Sequence, residues 1–416
     1  MSLVRRWFAI PLWKRVLGGL LFGVALGALW PDGAGYVRIF GDLFVRLIRM
    51  LVVPVVLVTV AAGIASLGDP RRLGPIGGRA VALFAGTTLV AVAIGMAAGL
   101  LVRPGEGAAL AGVAPHALGA AVSPADQLLG IVPVNVFDAL ARGDMLAVLF
   151  TAVLLGIGSV VAGEAGRPVV ALLEAASAVL LQVVRIVMEL TPLGVFALVA
   201  NAVAGGGLAV FASIGWLALC VLLASLFQMA VVHAALIRFW ARLPVARFYR
   251  GIADALAVAF STASSSATLP VALRVSQDNL GLARPVASTV LPLGASIGKD
   301  GTAMYVGLLG QFSLQALGVA PDPWMLGVML LTGALAAFGT APIPSASLFM
   351  LTAMLSAVGI GPERTALVVG LVLPLDRLLD MTRTVPSASA NLTVATLVAR
   401  AEGALDERRF RGMDPA

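Results

Sequence analysis

The chain has 416 residues, 60% of them hydrophobic and 12% charged, with a mean hydropathy of +1.02. Soluble domains carry about 25% charged residues, so this composition excludes an ordinary soluble fold and reads as a polytopic membrane protein. The formal net charge of +7 is accounted for by basic cytoplasmic loops rather than by nucleic-acid binding. The lone Cys220 excludes an intramolecular disulfide framework and is expected as a small buried apolar residue.

The segment "MSLVRRWFAIPLWKRVLGGLLFGVALGALW" opens like a signal peptide. Its apolar part runs on too long and ends without a small-residue cleavage site, which makes it a first spanning helix. Apolar runs predict spans at 12–30, 37–67, 79–102, 131–162, 167–198 and 208–239. The second is long for one crossing and is expected to be strongly tilted. Arg5, Arg6, Lys14 and Arg15 precede the first span, Arg71, Arg72 and Arg79 lie between the second and third, and Arg238, Arg242, Arg247 and Arg250 follow the sixth. The loops "HALGAAVSPADQ" and "NAVAGGGL" carry no Lys or Arg. The positive-inside rule therefore places both termini in the cytoplasm.

The pattern changes after residue 250. Segments 251–279 and 325–360 are apolar at both ends but hold "STASSSATLP" and "GTAPIPSASLF" in the middle. Non-helical backbone at membrane depth is tolerated only where it is buried in protein or lines a wet cavity. Both segments read as re-entrant hairpins, entering from opposite sides with tips near the midplane. Helix–helix packing by small residues is the bland alternative for one such tip, and two tips on opposite sides argue against it. Polar-interrupted helices follow at 283–320 and 362–402. The arrangement is an inverted repeat, the layout of a secondary transporter with a midplane site.

The last helix carries Asp376, Asp380, Arg383, Ser387 and Asn391, at offsets 0, 4, 7, 11 and 15. At about 100° per residue these fall within roughly 80° of arc and form one polar stripe. Charges at this depth cost several kcal/mol and normally face an internal site. A structural Asp380–Arg383 salt bridge is the plain alternative, and for Asp376, nearest the external end, the plain alternative is a helix cap or a residue facing water. Pro386 removes a backbone donor and is expected to kink the helix or free a carbonyl. Arg383 suits a carboxylate and Asp380 an ammonium, so an acidic amino acid fits the pair.

The other unusual stretch is "GASIGKDGTAMY", residues 294–305, which sets Lys299 beside Asp300 between Gly298 and Gly301. Only Lys14 and Lys299 of the 28 basic residues are lysines. Lysine is a compact point charge that can lose its proton when buried, which arginine cannot. His116 and His233 have no second ligand at metal-binding spacing, and no phosphate-cradling glycine motif is present. Neither a metal centre nor ATP-driven transport is expected.

These residues resemble the dicarboxylate/amino acid:cation symporters, the glutamate transporter homologues. The matching motifs are "SSSATLP" at 264–270, "DGTAMYVG" at 300–307, "GTAPIPSAS" at 339–347, "DRLLDMTRT" at 376–384 and "TPLGVFAL" at 191–198. The resemblance implies an all-α polytopic protein with eight transmembrane helices, two re-entrant helical hairpins and inverted repeats, assembled as a homotrimer in the cell inner membrane. Residues 1–78 and 103–207 would form a scaffold. Residues 79–102 and 208–402 would form an elevator-type transport domain gated by the second hairpin, and 403–416 a cytoplasmic tail. Arg383 would bind the substrate's side-chain carboxylate and Asp380 its amino group, with Thr302 and Thr384 assisting. Ser265 and Ser266 would serve at the first tip, and Ile343, Pro344 and Ser345 at the second. Ser387 stands where the family places an Asn for the main-chain carboxylate.

Departures from the pattern concern the cations. The family's Asn-Met-Asp-Gly-Thr is here Gly298-Lys299-Asp300-Gly301-Thr302. Asn391 replaces a sodium-site carboxylate and Phe84 a sodium-site Tyr, while Thr87, Thr88 and Asp300 remain. The reading is that the Lys299 ammonium replaces a bound cation and neutralises Asp300, leaving sodium coupling reduced or absent and proton coupling open. Rival readings are a proton-coupled C4-dicarboxylate carrier or an ordinary sodium-coupled symporter of the same family. More remote ones are an intramembrane Ser–Lys hydrolase using Ser265 or Ser266 with Lys299, and a channel.

Overall fold

A computed structural model describes residues 12–66, 70–106, 132–206, 209–338 and 346–412. The second-hairpin tip, with Ile343, Pro344 and Ser345, and the loop with His116 lie outside the described residues. The architecture is helical, with no strand among the described residues. In chain order the helices are α1 Leu12–Leu29, α2 Pro31–Ser66, α3 Pro70–Val102, α4 Val136–Arg142, α5 Met145–Val161, α6 Arg167–Met188, α7 Thr191–Gly206 and α8 Ala209–Phe227. They continue with α9 Val245–Thr262, α10 Ser265–Asp278, α11 Arg284–Ile297, α12 Asp300–Ala316, α13 Pro323–Phe338, α14 Ala346–Ala357, α15 Pro362–Ala401 and α16 Glu407–Arg411. Among the described residues three stretches, Pro75–Val102, Gly163–Val184 and Ile214–Trp240, are long and apolar enough to cross a membrane by length and composition.

Several spans read from hydropathy differ in detail, each for a local reason. The 131–162 run is two helices, because Gly143 takes a left-handed φ of 70° and Asp144 restarts the chain by accepting a bond from the Ala147 amide. The 167–198 run breaks at Glu189 and Leu190, since Pro192 enters the first turn of α7 and cannot continue α6. Glu189 there pairs with the buried Arg15 at 2.7 Å. α8 continues into π-helical turns at Gln228–His233 and Leu236–Trp240. α2 runs for 36 residues through Pro54, about 54 Å at 1.5 Å per residue.

Segment 251–279 is a helix pair. α9 ends at Ala263, which takes a left-handed φ of 49°, and the Ser264 side chain accepts from the Ala267 amide to start α10. α11 and α12 are separated by Gly298 and Lys299, so the break expected inside 283–320 is present. α15 stays helical through Pro386 for 40 residues.

Two apolar cores divide the chain. The larger gathers α2, α5, α7, α8 and α12–α14 with the first half of α15. The smaller gathers the start of α3, α9–α11 and the last turns of α15. From Asp380 to Asn391 the polar stripe of α15 falls between the buried Leu379 of the first core and Leu392 of the second. α12 is buried on nearly every face and packs tightly on α3, where a Cβ at Gly95 would stand 1.8 Å from the Met304 carbonyl oxygen.

Candidate substrate and cation site

The stripe on α15 is buried along its whole length, and Asp376 and Arg383 are each 1% exposed. Arg383 Nη1 lies 3.1 Å from Asp376 Oδ1. Its Nε and Nη2 lie 3.1 and 2.9 Å from Asp380 Oδ1. The guanidinium carbon stacks 4.3 Å from the Tyr305 ring centroid, and Tyr305 donates its hydroxyl to Asp376 at 3.3 Å. Asp376 is therefore no helix cap. It holds Arg383 from one side while Asp380 holds it from the other. Thr384 donates to the Asp380 carbonyl at 2.7 Å, and Thr302 is half-buried in the first turn of α12.

α12 lies against this stripe through Gly301. A Cβ there would stand 1.8 Å from the Arg383 carbonyl oxygen, so only glycine permits the approach. The Gly301 amide donates to Ser387 Oγ at 3.0 Å, and that hydroxyl lies 3.4 Å from the Arg383 carbonyl.

The break between α11 and α12 explains the adjacent charges. Carbonyls at a helix C-terminus attract a cation, and the first turn of a helix favours an acid. Lys299 folds back on α11 and donates to the Ala295 carbonyl at 2.7 Å and to Ser265 Oγ at 3.0 Å. Asp300 opens α12 and turns the other way. It accepts from Thr87 and Thr88 at 3.1 Å each and from Gln228 at 3.4 Å, and lies 3.5 Å from His233 Nε2. Among the described residues no ion pair joins Lys299 to Asp300. The expectation that the ammonium neutralises this carboxylate is thus corrected. Nor does Lys299 reach water, being 4% exposed.

Sequence reasoning missed Gln228 and Tyr305. Gln228 and His233 lie five residues apart in π-helical turns, a spacing that aligns them on one face. His233 is a core histidine whose Nδ1 meets Ser389 Oγ at 3.0 Å. Ser265 is half-buried and Ser266 exposed at the start of α10.

Asn391 Oδ1 is buried with no hydrogen-bond partner among the described residues. It sits beside a cavity of about 10 Å³, also lined by Ser265, Thr268 and Ala295, room for about one water. A Cβ on Gly298 would meet Asn391 Oδ1 at 2.0 Å and the Phe84 ring at 2.8 Å. The first obstacle is the movable end of a side chain. We expect Gly298→Ala to cost about 1–3 kcal/mol and Asn391→Ala to recover part of that in the double variant, read by thermal unfolding of purified protein. Strict additivity of the two single changes would refute the contact.

The sequence pattern of the sodium:dicarboxylate symporter family matches residues 12–401. The chain belongs to this family. It is 34% identical to a C4-dicarboxylate transport protein of Anaeromyxobacter sp. (strain K), over 97% of this chain and 93% of the relative. It is 31% identical to a proton/sodium-glutamate symport protein of Bacillus subtilis, over 94% and 92%. A C4-dicarboxylate transport protein of Rhizobium leguminosarum bv. trifolii is 32% identical over 96% and 91%. Members of a symporter family are secondary transporters in membranes, not enzymes, and the hydrolase reading of Ser265 and Lys299 falls with that.

Proposed function

We propose that this protein is a secondary active transporter of acidic amino acids, aspartate or glutamate, with a C4-dicarboxylate as the alternative substrate. The observation that carries this reading is Arg383, a buried guanidinium held between Asp376 and Asp380 and stacked on Tyr305. A guanidinium fixed in this way recognises a carboxylate bidentately, and Asp380 beside it suits an ammonium. Ser265, Ser266, Thr302, Thr384 and Ser387, with Ile343, Pro344 and Ser345 from the second tip, complete the substrate site.

The charge count argues for a co-transported cation. Among the described buried residues of the site, Lys299 and Arg383 supply two positive charges against the three carboxylates of Asp300, Asp376 and Asp380, a formal sum of 2 − 3 = −1. An entering anion raises that deficit, which a sodium ion or proton would offset. Sodium is the weaker candidate: Gly298 and Asn391 bring no carboxylate and Phe84 no side-chain oxygen, while Thr87, Thr88 and Asp300 remain. Lys299 serves as a built-in positive charge in place of one bound cation. In this reading the helix pair α9–α10 and the segment 325–360 are re-entrant hairpins of an elevator-type transport domain. The assembly is a homotrimer in the cell inner membrane with both termini cytoplasmic.

The test is uptake of labelled L-aspartate by purified protein in liposomes, with and without a sodium gradient, at matched membrane potential and two pH values. Wild type should take up aspartate without regard to sodium, and Lys299→Met should be slowed or become sodium-dependent. Wild-type uptake that requires sodium, unchanged by Lys299→Met, would leave an ordinary sodium symporter.

A further inference from the structure

We infer that Lys299 is the residue that holds the second carboxylate of the transported anion, at the end away from Arg383. The inference rests on the reading that the Arg383 cluster binds an anionic substrate.

Three observations carry it. An ammonium has three donors, and Lys299 uses two, on Ser265 Oγ and the Ala295 carbonyl. Among the described residues no carboxylate lies within ion-pair distance of it. A buried cation with a spare donor and no carboxylate in direct contact is costly, and such groups face a partner or a ligand path. Asp300 does not fill that need, because its oxygens face Thr87, Thr88, Gln228 and His233.

The second observation is location. Ser265 opens α10 at the half-buried tip of the first helix pair. Lys299 stands two residues before Gly301, which lies against the Arg383 carbonyl and bonds Ser387 on the same stripe. Both cations therefore belong to one site. The third is Ser387, one turn beyond Arg383 on the same stripe. Its hydroxyl accepts from the Gly301 amide and rests on the Arg383 carbonyl. Its donor is turned into the protein, and the unused donor nearby is that of Lys299.

The experiment is a cycle of ligand and residue in liposomes. KM is measured for L-aspartate and for L-isoasparagine, the analogue with its main-chain carboxylate amidated, in wild type, Lys299→Met and Lys299→Arg. Wild type should favour aspartate by roughly tenfold or more, the scale of one hydrogen-bonded charge. Lys299→Met should shrink that preference to within about threefold, and Lys299→Arg should keep most of it. A preference of the same size in wild type and Lys299→Met overturns the inference, as does a wild type that does not discriminate. A merely structural lysine would depress both ligands equally and lower the unfolding temperature. Should Lys299→Met fail to fold, Lys299→Gln is read in its place. Transport of aspartate with unchanged discrimination refutes the anchor alone, whereas transport of neither aspartate nor succinate refutes the proposed function as well.

Discussion

Arg383→Ala should abolish uptake of every anionic substrate, lowering it by about a hundredfold or more, the scale of losing a bidentate charge-assisted clamp. The same change should destabilise the protein. Arg383 lies within 3.1 Å of both Asp376 and Asp380, and its removal takes away the guanidinium that both buried carboxylates face. Breaking a buried pair by deleting one partner costs about 3–5 kcal/mol. The two effects are separable. Adding Asp376→Asn to Arg383→Ala removes one orphaned charge and should restore part of the stability with none of the transport. Thermal unfolding in detergent reads the first quantity and liposome uptake the second. If the double variant regained uptake along with stability, Arg383 would be a structural member of the stripe and the substrate site would lie elsewhere. Arg383→Lys should keep more of the stability but little of the transport, because a point charge does not reproduce the planar fork that meets two carboxylates and the Tyr305 ring together.

How far the sequence carries can be argued from these residues. The stripe of α15 was legible because helical periodicity alone aligns Asp376, Asp380, Arg383, Ser387 and Asn391, and charge is costly in any apolar run. The break between α11 and α12 was legible from Gly298 and Gly301 around two charges. The direction of each charge was not. Lys299 and Asp300 are adjacent, yet one caps the C-terminal turn of α11 and the other opens α12, so they face opposite neighbours. Gln228 reaches Asp300 across 72 residues, and its alignment with His233 follows a five-residue period that no α-helical pattern shows. The stop at Thr191 and Pro192 was written in the sequence but hidden by apolar residues on both sides, since hydropathy follows burial and a proline acts on backbone bonding.

Gly301→Ala should be among the most damaging small changes at the described residues. A Cβ at this position would stand 1.8 Å from the Arg383 carbonyl oxygen and 2.8 Å from Pro386 Cγ. The first obstacle is backbone within a helix buried on both sides, so it cannot rotate away as the Asn391 amide can beside Gly298. α12 and α15 must separate, and overpacking of this kind costs about 3 kcal/mol or more. The separation also stretches the bond from the Gly301 amide to Ser387 Oγ. It displaces Arg383 as well, whose own carbonyl is the contact point. Stability and substrate affinity should therefore fall together, with KM for aspartate rising by at least about tenfold in whatever protein remains folded. Gly298→Ala, milder and relieved by Asn391→Ala, is the matched control on the other side of the same break. Thermal unfolding and uptake kinetics on the two glycine variants side by side decide the matter. Equal behaviour of Gly301→Ala and wild type in both would mean that α12 does not position Arg383 at all.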